Sequence, residues 1–376
     1  MKQRLILCLY FLFLGLVALY SFSRPNYNWD MLPYMAVAIG YDHADDRLVH
    51  DTVYRLARQQ LPGAAYSELS DGGLEYRRKM AEDPSAFRQQ MPFYLVKPLY
   101  TRLLYLFYLL GVPLIQAALL PSCIAYFLIG ILLIFWVKRY LPILLSVIIS
   151  SLIMVSAPMW EVLRTFSPDC LSAFFLLGAC YMLLERKSLF LLIISLLLSV
   201  FTRLDNIIPA LFFISLLAFS DKWAYAISVK KYLLILAIFL CAYLSISRNA
   251  IPYGWSILYY PTFLKWLNLS YSYMPAFHLR QYVSLTFSHI LTGLFYSHFI
   301  LFLLLSCLIF MRRGKELFKN LGTDQLLLCA IGLTILVRFV LQPNVADRFY
   351  IPFYLCILVM LIRKLYPIDA GVPSGR

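Results

Sequence analysis

Apolar residues run in long blocks along this chain, separated by short polar clusters. Hydropathy places a first block at residues 5–22. Residues 23–112 are more polar, and further blocks follow at 113–137, 141–158, 168–184, 188–202, 207–220, 232–247, 289–310, 325–341 and 349–362. Most approach the ~20 residues that cross a hydrocarbon core as a helix. The pattern predicts an all-α fold, a polytopic transmembrane helix bundle of about ten spans. It forms one integral-membrane unit over residues 1–376, with a large first outer loop (23–112) carrying amphipathic surface helices.

One stretch tests that reading. Residues 93–111 are apolar enough to span but carry Lys97, Pro98 and Arg102. They are read as a helix on the membrane surface, with the charged groups reaching to water. Counting them as a span would invert everything downstream.

Composition removes the soluble classes. Of 376 residues, 62% are hydrophobic and only 14% charged, whereas about a quarter of a soluble domain is charged. The net charge of +14 resembles a nucleic-acid signal until it is located. With the N-terminus inside, Lys2, Arg4, Lys138, Arg139, Arg186, Lys187, Lys222, Lys230, Lys231, Arg312, Arg313, Lys315, Lys319, Arg363, Lys364 and Arg376 fall on the cytoplasmic side. Beyond residue 112 the outer side holds fewer: Arg164, Arg203, Arg248, Lys265, Arg280 and Arg348. The basic excess is positive-inside bias, and no nucleic-acid partner is expected. The first block is read as an anchor, because it exceeds the apolar core of a cleavable signal. The eight cysteines form no C-x-x-C pair and point to neither redox nor metal chemistry.

The outer loop opens with Asn28-Trp29-Asp30-Met31-Leu32-Pro33-Tyr34, which sets Asp30 at the outer interface between aromatic neighbours. Farther on, His43, Asp46 and His50 share a helical face. Asp45 and Asp46 at the start, Arg55 and Arg58 near the end and Pro62-Gly63 beyond describe a dipole-matched, solvated helix, not a metal site.

Across the blocks, Glu161, Arg164, Asp169, Arg203, Asp205, Arg248, Arg338, Asp347 and Arg348 gather at outer ends, level with Asp30 and Lys97. Charges against hydrocarbon are costly and point to function. A belt at this depth suits chemistry on a lipid-phosphate headgroup, although each charge singly also reads as an interfacial anchor. Ser167-Pro168-Asp169 also reads as a well-started helix, and Arg203 with Asp205 as an interfacial ion pair. The sequon Asn268-Leu269-Ser270 lies in an outer loop.

Together these residues resemble the GT-C superfamily of polytopic glycosyltransferases, nearest the branch of protein O-mannosyltransferases and the aminoarabinose transferase of lipid A. Asp30 matches that family's acidic residue after the first span. Tyr94-Leu95-Val96-Lys97-Pro98 matches a tyrosine three residues before a Lys-Pro pair in the first outer loop. Asp169 matches an aspartate opening a span, and Arg348-Phe349-Tyr350-Ile351-Pro352 an arginine-aromatic-x-x-Pro string. The family's paired Asp-Glu is only Asp30-Met31 here, and no sizeable C-terminal domain follows the last block.

The resemblance implies a bacterial inner-membrane glycosyltransferase with a periplasmic active site. It would move a sugar from a polyprenyl-phosphate donor to a hydroxyl on a lipid, glycan or protein acceptor. Asp30 would be the catalytic base, with Asp169 orienting the acceptor or a cationic partner, or helping to hold a divalent metal. Tyr94 and Lys97 would bind the donor phosphate, with Arg203 and Arg348 as further ligands. Metal dependence is left open. The alternative is a transporter or flippase of a lipid-linked saccharide or small solute, which requires ionisable groups or broken helices near mid-depth.

Overall fold

The computed structural model describes residues 2–185, 188–219, 227–248, 259, 276–310 and 322–367. Several residues of the sidedness argument lie outside them: Arg186, Lys187, Lys222, Lys265, Arg312, Arg313, Lys315, Lys319, Arg376 and the sequon at Asn268. The described residues are helical, with no strand beyond one isolated bridge between Asn26 and Thr165.

Four helices are long and apolar enough to cross a bilayer: α1 (Lys2–Ser23), α9 (Leu114–Val137), α15 (Val229–Ser247) and α18 (Thr323–Leu341). A fifth span is formed if α10 (Ile143–Met154) and α11 (Ala157–Arg164), bent by 60°, are taken together. Pro158 in the first turn of α11 has no N–H to continue α10's ladder, which accounts for the bend. Shorter apolar helices complete the set: α12 (Asp169–Leu184), α13 (Leu189–Thr202), α14 (Ile207–Phe219), α17 (Phe299–Phe310) and α19 (Ile351–Leu365). The chain is a multi-pass membrane protein.

Two expected elements differ. The block at 289–310 is not one helix but α16 (Leu279–Tyr296) and α17, separated at Ser297-His298. His298 sends its backbone N–H to Asp347 Oδ1 (3.0 Å) instead of along a helix. The polar segment at 46–60 is helix α3 (Asp46–Gln60), started by the Asp45 carboxylate on the backbone N–H of Arg47 (2.9 Å). It is not wholly solvated. His50, Val53, Tyr54 and Ala57 form a buried face, and His50 Nε2 contacts the Met80 carbonyl at 3.0 Å.

Between α1 and α9 no helix has spanning length. Here lie α2 (Met31–Ile39), α3, α4 (Gly63–Ser70), α5 (Glu75–Glu82), α6 (Pro84–Arg88), α7 (Pro92–Leu95) and α8 (Pro98–Leu109). At ~1.5 Å per residue α8 is about 18 Å long. It buries Tyr100, Thr101 and Leu104 and exposes Leu106, Tyr108 and Leu109, so both faces are largely apolar, with Arg102 its one charged residue.

The core centres on α9, which packs against α1, α2, α8, α10, α11 and α12. Tyr10 of α1 donates its hydroxyl to the Gly130 carbonyl (3.0 Å), and Leu14 occupies the space a side chain at 130 would need. Charged groups collect at two ends. Helix α12 begins at Asp169 in one cluster and is followed by Glu185 in the other. There Glu185 takes Arg139 Nε (2.9 Å) and Trp136 Nε1 (2.9 Å), while Arg363 pairs with Asp324 (3.3 Å). Helices α9, α12, α13, α14 and α17 carry no Asp, Glu, Lys or Arg in their middles.

Candidate active site

The first part of the site is built from Asp30, Tyr94 and Lys97. Asp30 precedes α2 but makes no side-chain capping bond there, so its carboxylate stays available. Tyr94 donates its hydroxyl to Asp30 Oδ1 at 2.7 Å. The one-turn helix α7 ends before Lys97, because Pro98 forces the preceding residue out of helical geometry (Lys97 φ −124°, ψ 55°). The break brings Lys97 back beside Tyr94. Its ammonium lies 4.8 Å from the Tyr94 ring centroid and 5.2 Å from that of Tyr34, where the rings' negative faces favour a cation. Tyr34 packs edge-on against both Tyr94 and Tyr100, each at 4.8 Å.

Among the described residues Lys97 has no ion-pair partner within 4 Å and no side-chain hydrogen bond. Burial pushes its pKa down to about 8, while the Asp30 charge pulls the other way. Burial and the same Asp30 charge push the Tyr94 phenol well above its ordinary value, so it remains a donor. This part of the site therefore offers one carboxylate held by a tyrosine and one cation with open donors.

The second part is a chain of alternating charge. Asp169 pairs with Arg203 Nη1 and lies 3.5 Å from Arg348 Nε, and Ser167 Oγ donates to Asp169 Oδ2 at 3.0 Å. Arg203 grips Asp205 with Nε at 3.1 Å and Nη2 at 3.2 Å. Asp205 also takes Arg338 Nη2, and Arg338 Nη1 reaches the Phe349 carbonyl at 3.3 Å. Arg203 and Arg348 lie over the Phe349 ring, at 4.5 and 4.9 Å. Burial opposes both charges of the central pair, and mutual attraction outweighs it. Arg203 is raised by Asp205 and Asp169, and Asp205 is lowered by Arg203 and Arg338.

Backbone ties connect the two parts. Asn26 N–H donates to the Arg164 carbonyl (2.9 Å), Arg164 Nε to the Arg24 carbonyl (2.7 Å), and Phe166 N–H to Asn28 Oδ1 (3.2 Å). Asp30 lies two residues beyond Asn28, and Asp169 three beyond Phe166. Lys97 is within electrostatic range of Asp30, Arg203, Asp169 and Asp205. The segments that carry Asp30, Lys97, Asp169, Arg203 and Arg348 thus meet at one end of the bundle.

No family model, curated protein or solved structure matches this chain.

The geometry of the site divides the expected residues. Tyr94 is spent on Asp30, and Arg203 on two aspartates. Lys97 and Arg348 keep open donors. Asp169 is 4% exposed, with both oxygens engaged by arginines and Ser167, whereas Asp30 accepts one phenol. The ion pair that the sequence offered between Arg203 and Asp205 is present; Arg338 was visible only as a member of the charge belt, and the structure adds it at the far end of the chain. Arg248 is exposed and makes no ion pair among the described residues. The Asp347–His298 contact (2.6 Å) and the Asn28 tie carried no signal in spacing, because each joins segments far apart in the chain. Three or more His, Cys, Asp or Glu side chains grouped for a metal are not found among the described residues.

Proposed function

We propose that this protein is a membrane glycosyltransferase. It moves a sugar from a polyprenyl-phosphate donor to an acceptor hydroxyl at the outer face of a bacterial inner membrane. In this reading all ten apolar blocks are spans, the N-terminus is cytoplasmic, and residues 23–112 form the outer loop. Asp30 accepts the proton of the acceptor hydroxyl as that oxygen attacks the anomeric carbon and the bond to the donor phosphate breaks. The Lys97 ammonium faces the phosphate, so charge developing on the leaving group meets a cation already in place. Tyr94 holds the Asp30 carboxylate in orientation. Asp169, Arg203, Asp205 and Arg338 form the rigid wall against which these groups are set.

The observation that carries the reading is that Tyr94 joins a carboxylate and a cation: its hydroxyl donates to Asp30, and its ring, with that of Tyr34, lies by a Lys97 ammonium that has no ion pair within 4 Å among the described residues. The middles of α9, α12, α13, α14 and α17 carry no charged residue, which weighs against the transporter alternative, while the 60° bend between α10 and α11 is the kind of broken helix that alternative would use.

Turnover with purified protein, a polyprenyl-phosphate sugar and an acceptor tests the proposal. Asp30→Asn keeps the shape but cannot take the proton. Its turnover falls by about 10²-fold or more, while donor binding is retained. A variant keeping over about a tenth of the wild-type rate would remove Asp30 as the base.

A further inference from the structure

Helix α17 runs beside α19 along its length and leaves α16 outside the bundle. Phe299 packs on Tyr350 at the start of α19, with ring centroids 4.7 Å apart, and Phe302 stacks on Tyr354 at 3.9 Å. Toward the other end, the carbonyls of Leu308 and Ile309 accept from Lys364 Nζ, each at 2.6 Å. Helix α17 thus covers the same depth as α19, and α16 is left at the end that holds the candidate site.

Two contacts fix how α16 lies there. Tyr282 donates its hydroxyl to the carbonyl of Val340, in the last turn of α18. Gly293 is so close to Val345 that a Cβ would stand 2.8 Å from its Cγ1. From 282 to 293 the helix covers about 16 Å, yet both positions touch residues 340–345, in the segment joining α18 to α19. A helix descending beside α18 would have left that segment behind. Helix α16 therefore lies across the end of the bundle, not down its side.

Its sequence divides into three stripes. Tyr282, Thr286, His289 and Gly293 form the least exposed one, on the side that touches the protein. Leu279, Val283, Phe287 and Ile290 form an exposed apolar stripe, with Val283 56% and Phe287 61% exposed. Gln281, Ser284, Ser288 and Thr292 form an exposed polar stripe well away from it, interrupted only by Phe295 in the last turn. An apolar stripe opposed to a polar one is the pattern of a helix lying in a membrane interface. Leu333, Leu336 and Val340 of α18 are exposed too, as the lipid face of a span would be. That face runs up to Val340, so lipid reaches the place where α16 is attached.

We infer that α16 is an interfacial helix whose partner is the lipid surface at the candidate-site end. Its apolar stripe lies at the acyl-chain boundary, and its polar stripe faces headgroups and water. The block at 289–310 then enters the bilayer only at α17. The His298–Asp347 contact (2.6 Å) joins the end of α16 to the turn carrying Arg348 and Phe349, which puts this lipid contact beside the candidate site. The inference does not depend on the transferase reading: reversed sidedness would change the leaflet and not the depth.

The test is spin labelling of the full-length protein, with its native cysteines replaced, in vesicles of phosphatidylethanolamine and phosphatidylglycerol. Leu279→Cys, Val283→Cys, Phe287→Cys and Ile290→Cys carry labels on the apolar stripe, and Ser284→Cys and Ser288→Cys on the polar one. Collision with oxygen, which partitions into lipid, and with a water-soluble nickel chelate reports depth. The apolar-stripe labels are expected to meet oxygen, to be shielded from the chelate and to lie within about 5 Å of one another in depth. The polar-stripe labels are expected to meet the chelate.

A helix entering the bilayer end-on would instead separate Leu279 from Ile290 by about 16 Å in depth, which overturns the inference. Shielding of the apolar stripe from both reagents also overturns it, since a second copy or another protein would then cover that stripe. Free access of the chelate to the apolar stripe does the same, by placing the helix in water. All six positions are exposed, so the labels leave the core intact. Should the Leu279 variant not fold, Val283 read against Ile290 decides on the same terms, with about 10 Å expected for end-on entry.

Discussion

Asp30 and Asp169 both stand at the start of a helix, and their surroundings give them opposite uses. Asp169 is locked between two arginines and a serine, while Asp30 accepts a single phenol. Lys97 and Arg203 differ in the same way: the ammonium lies by two rings with no ion pair within 4 Å among the described residues, and the guanidinium makes three charge-assisted bonds to two aspartates. With the free-protein Lys97 pKa at about 8, the ammonium is lost as pH rises through that value. On the transferase reading, kcat/KM therefore falls above pH ~8. Lys97→Arg should remove this alkaline limb, since a guanidinium stays charged, while lowering the rate because its shape differs. A limb unchanged in Lys97→Arg would assign it to another group. Lys97→Ala should weaken donor binding by about 1.5–3 kcal/mol, the worth of a charge-assisted contact. Arg203 behaves differently again. Asp205→Asn removes the charge that Arg203 and the 7%-exposed Arg338 share; because the Asp205 side chain is 34% exposed and Arg203 keeps Asp169, the loss should fall below the ~3–5 kcal/mol of a fully buried pair. The expected readout is a lower thermal unfolding midpoint; an unchanged midpoint would mean that the alternating chain contributes no stability.

At the scale of elements, short contacts between distant segments carry the arrangement. The strand-like pairing of residues 24–28 with 164–166 joins the end of α1 to the turn before α12. Asn28 closes it by accepting the Phe166 N–H. Asn28→Ala removes that acceptor and leaves a buried N–H unsatisfied, a loss of about 1–3 kcal/mol. Both the unfolding midpoint and turnover are expected to drop; a variant with wild-type values for both would show that the tie does not align the site. The break between α16 and α17 has a similar origin. His298 bonds Asp347 through backbone and ring, and Tyr354 Oη adds a third bond at 3.1 Å. These bonds hold the turn that carries Arg348 and Phe349.

At the scale of the molecule, the charges lie at two ends separated by apolar helices. One end gathers Asp30, Lys97, Asp169, Arg203, Asp205, Arg338 and Arg348; the other gathers Arg139, Glu185, Asp324 and Arg363. The proposed topology puts the first end outside. In a background with the native cysteines replaced, cysteines placed at Ser70 and Asn344 should be labelled by an impermeant reagent from the outside, and one at Lys230 should not. Labelling at Lys230 from outside would reverse the sidedness and move the candidate site to the cytoplasm.

Hydropathy alone determined that this chain is helical and lies in a membrane, because burying peptide groups in lipid leaves few alternatives to a helix. It also gathered the charged residues at the ends of the apolar blocks, since mid-depth charges are too costly; the surface-helix reading of 93–111 belongs to the proposed topology. Only the tertiary structure decided how those charges are shared. Tyr94 goes to Asp30 across 64 positions, and Arg338 to Asp205 across 133. Both ties depend on how helices pack, which no local pattern encodes. The break at His298 was hidden for the same reason: its cause, Asp347, lies 49 residues away. The resemblance named Tyr94 and Lys97 as ligands of the donor phosphate, with Arg203 and Arg348 as further candidates. Packing satisfied the first and third and left Lys97 and Arg348 with open donors, because a donor stays open only where no acceptor from another segment reaches it.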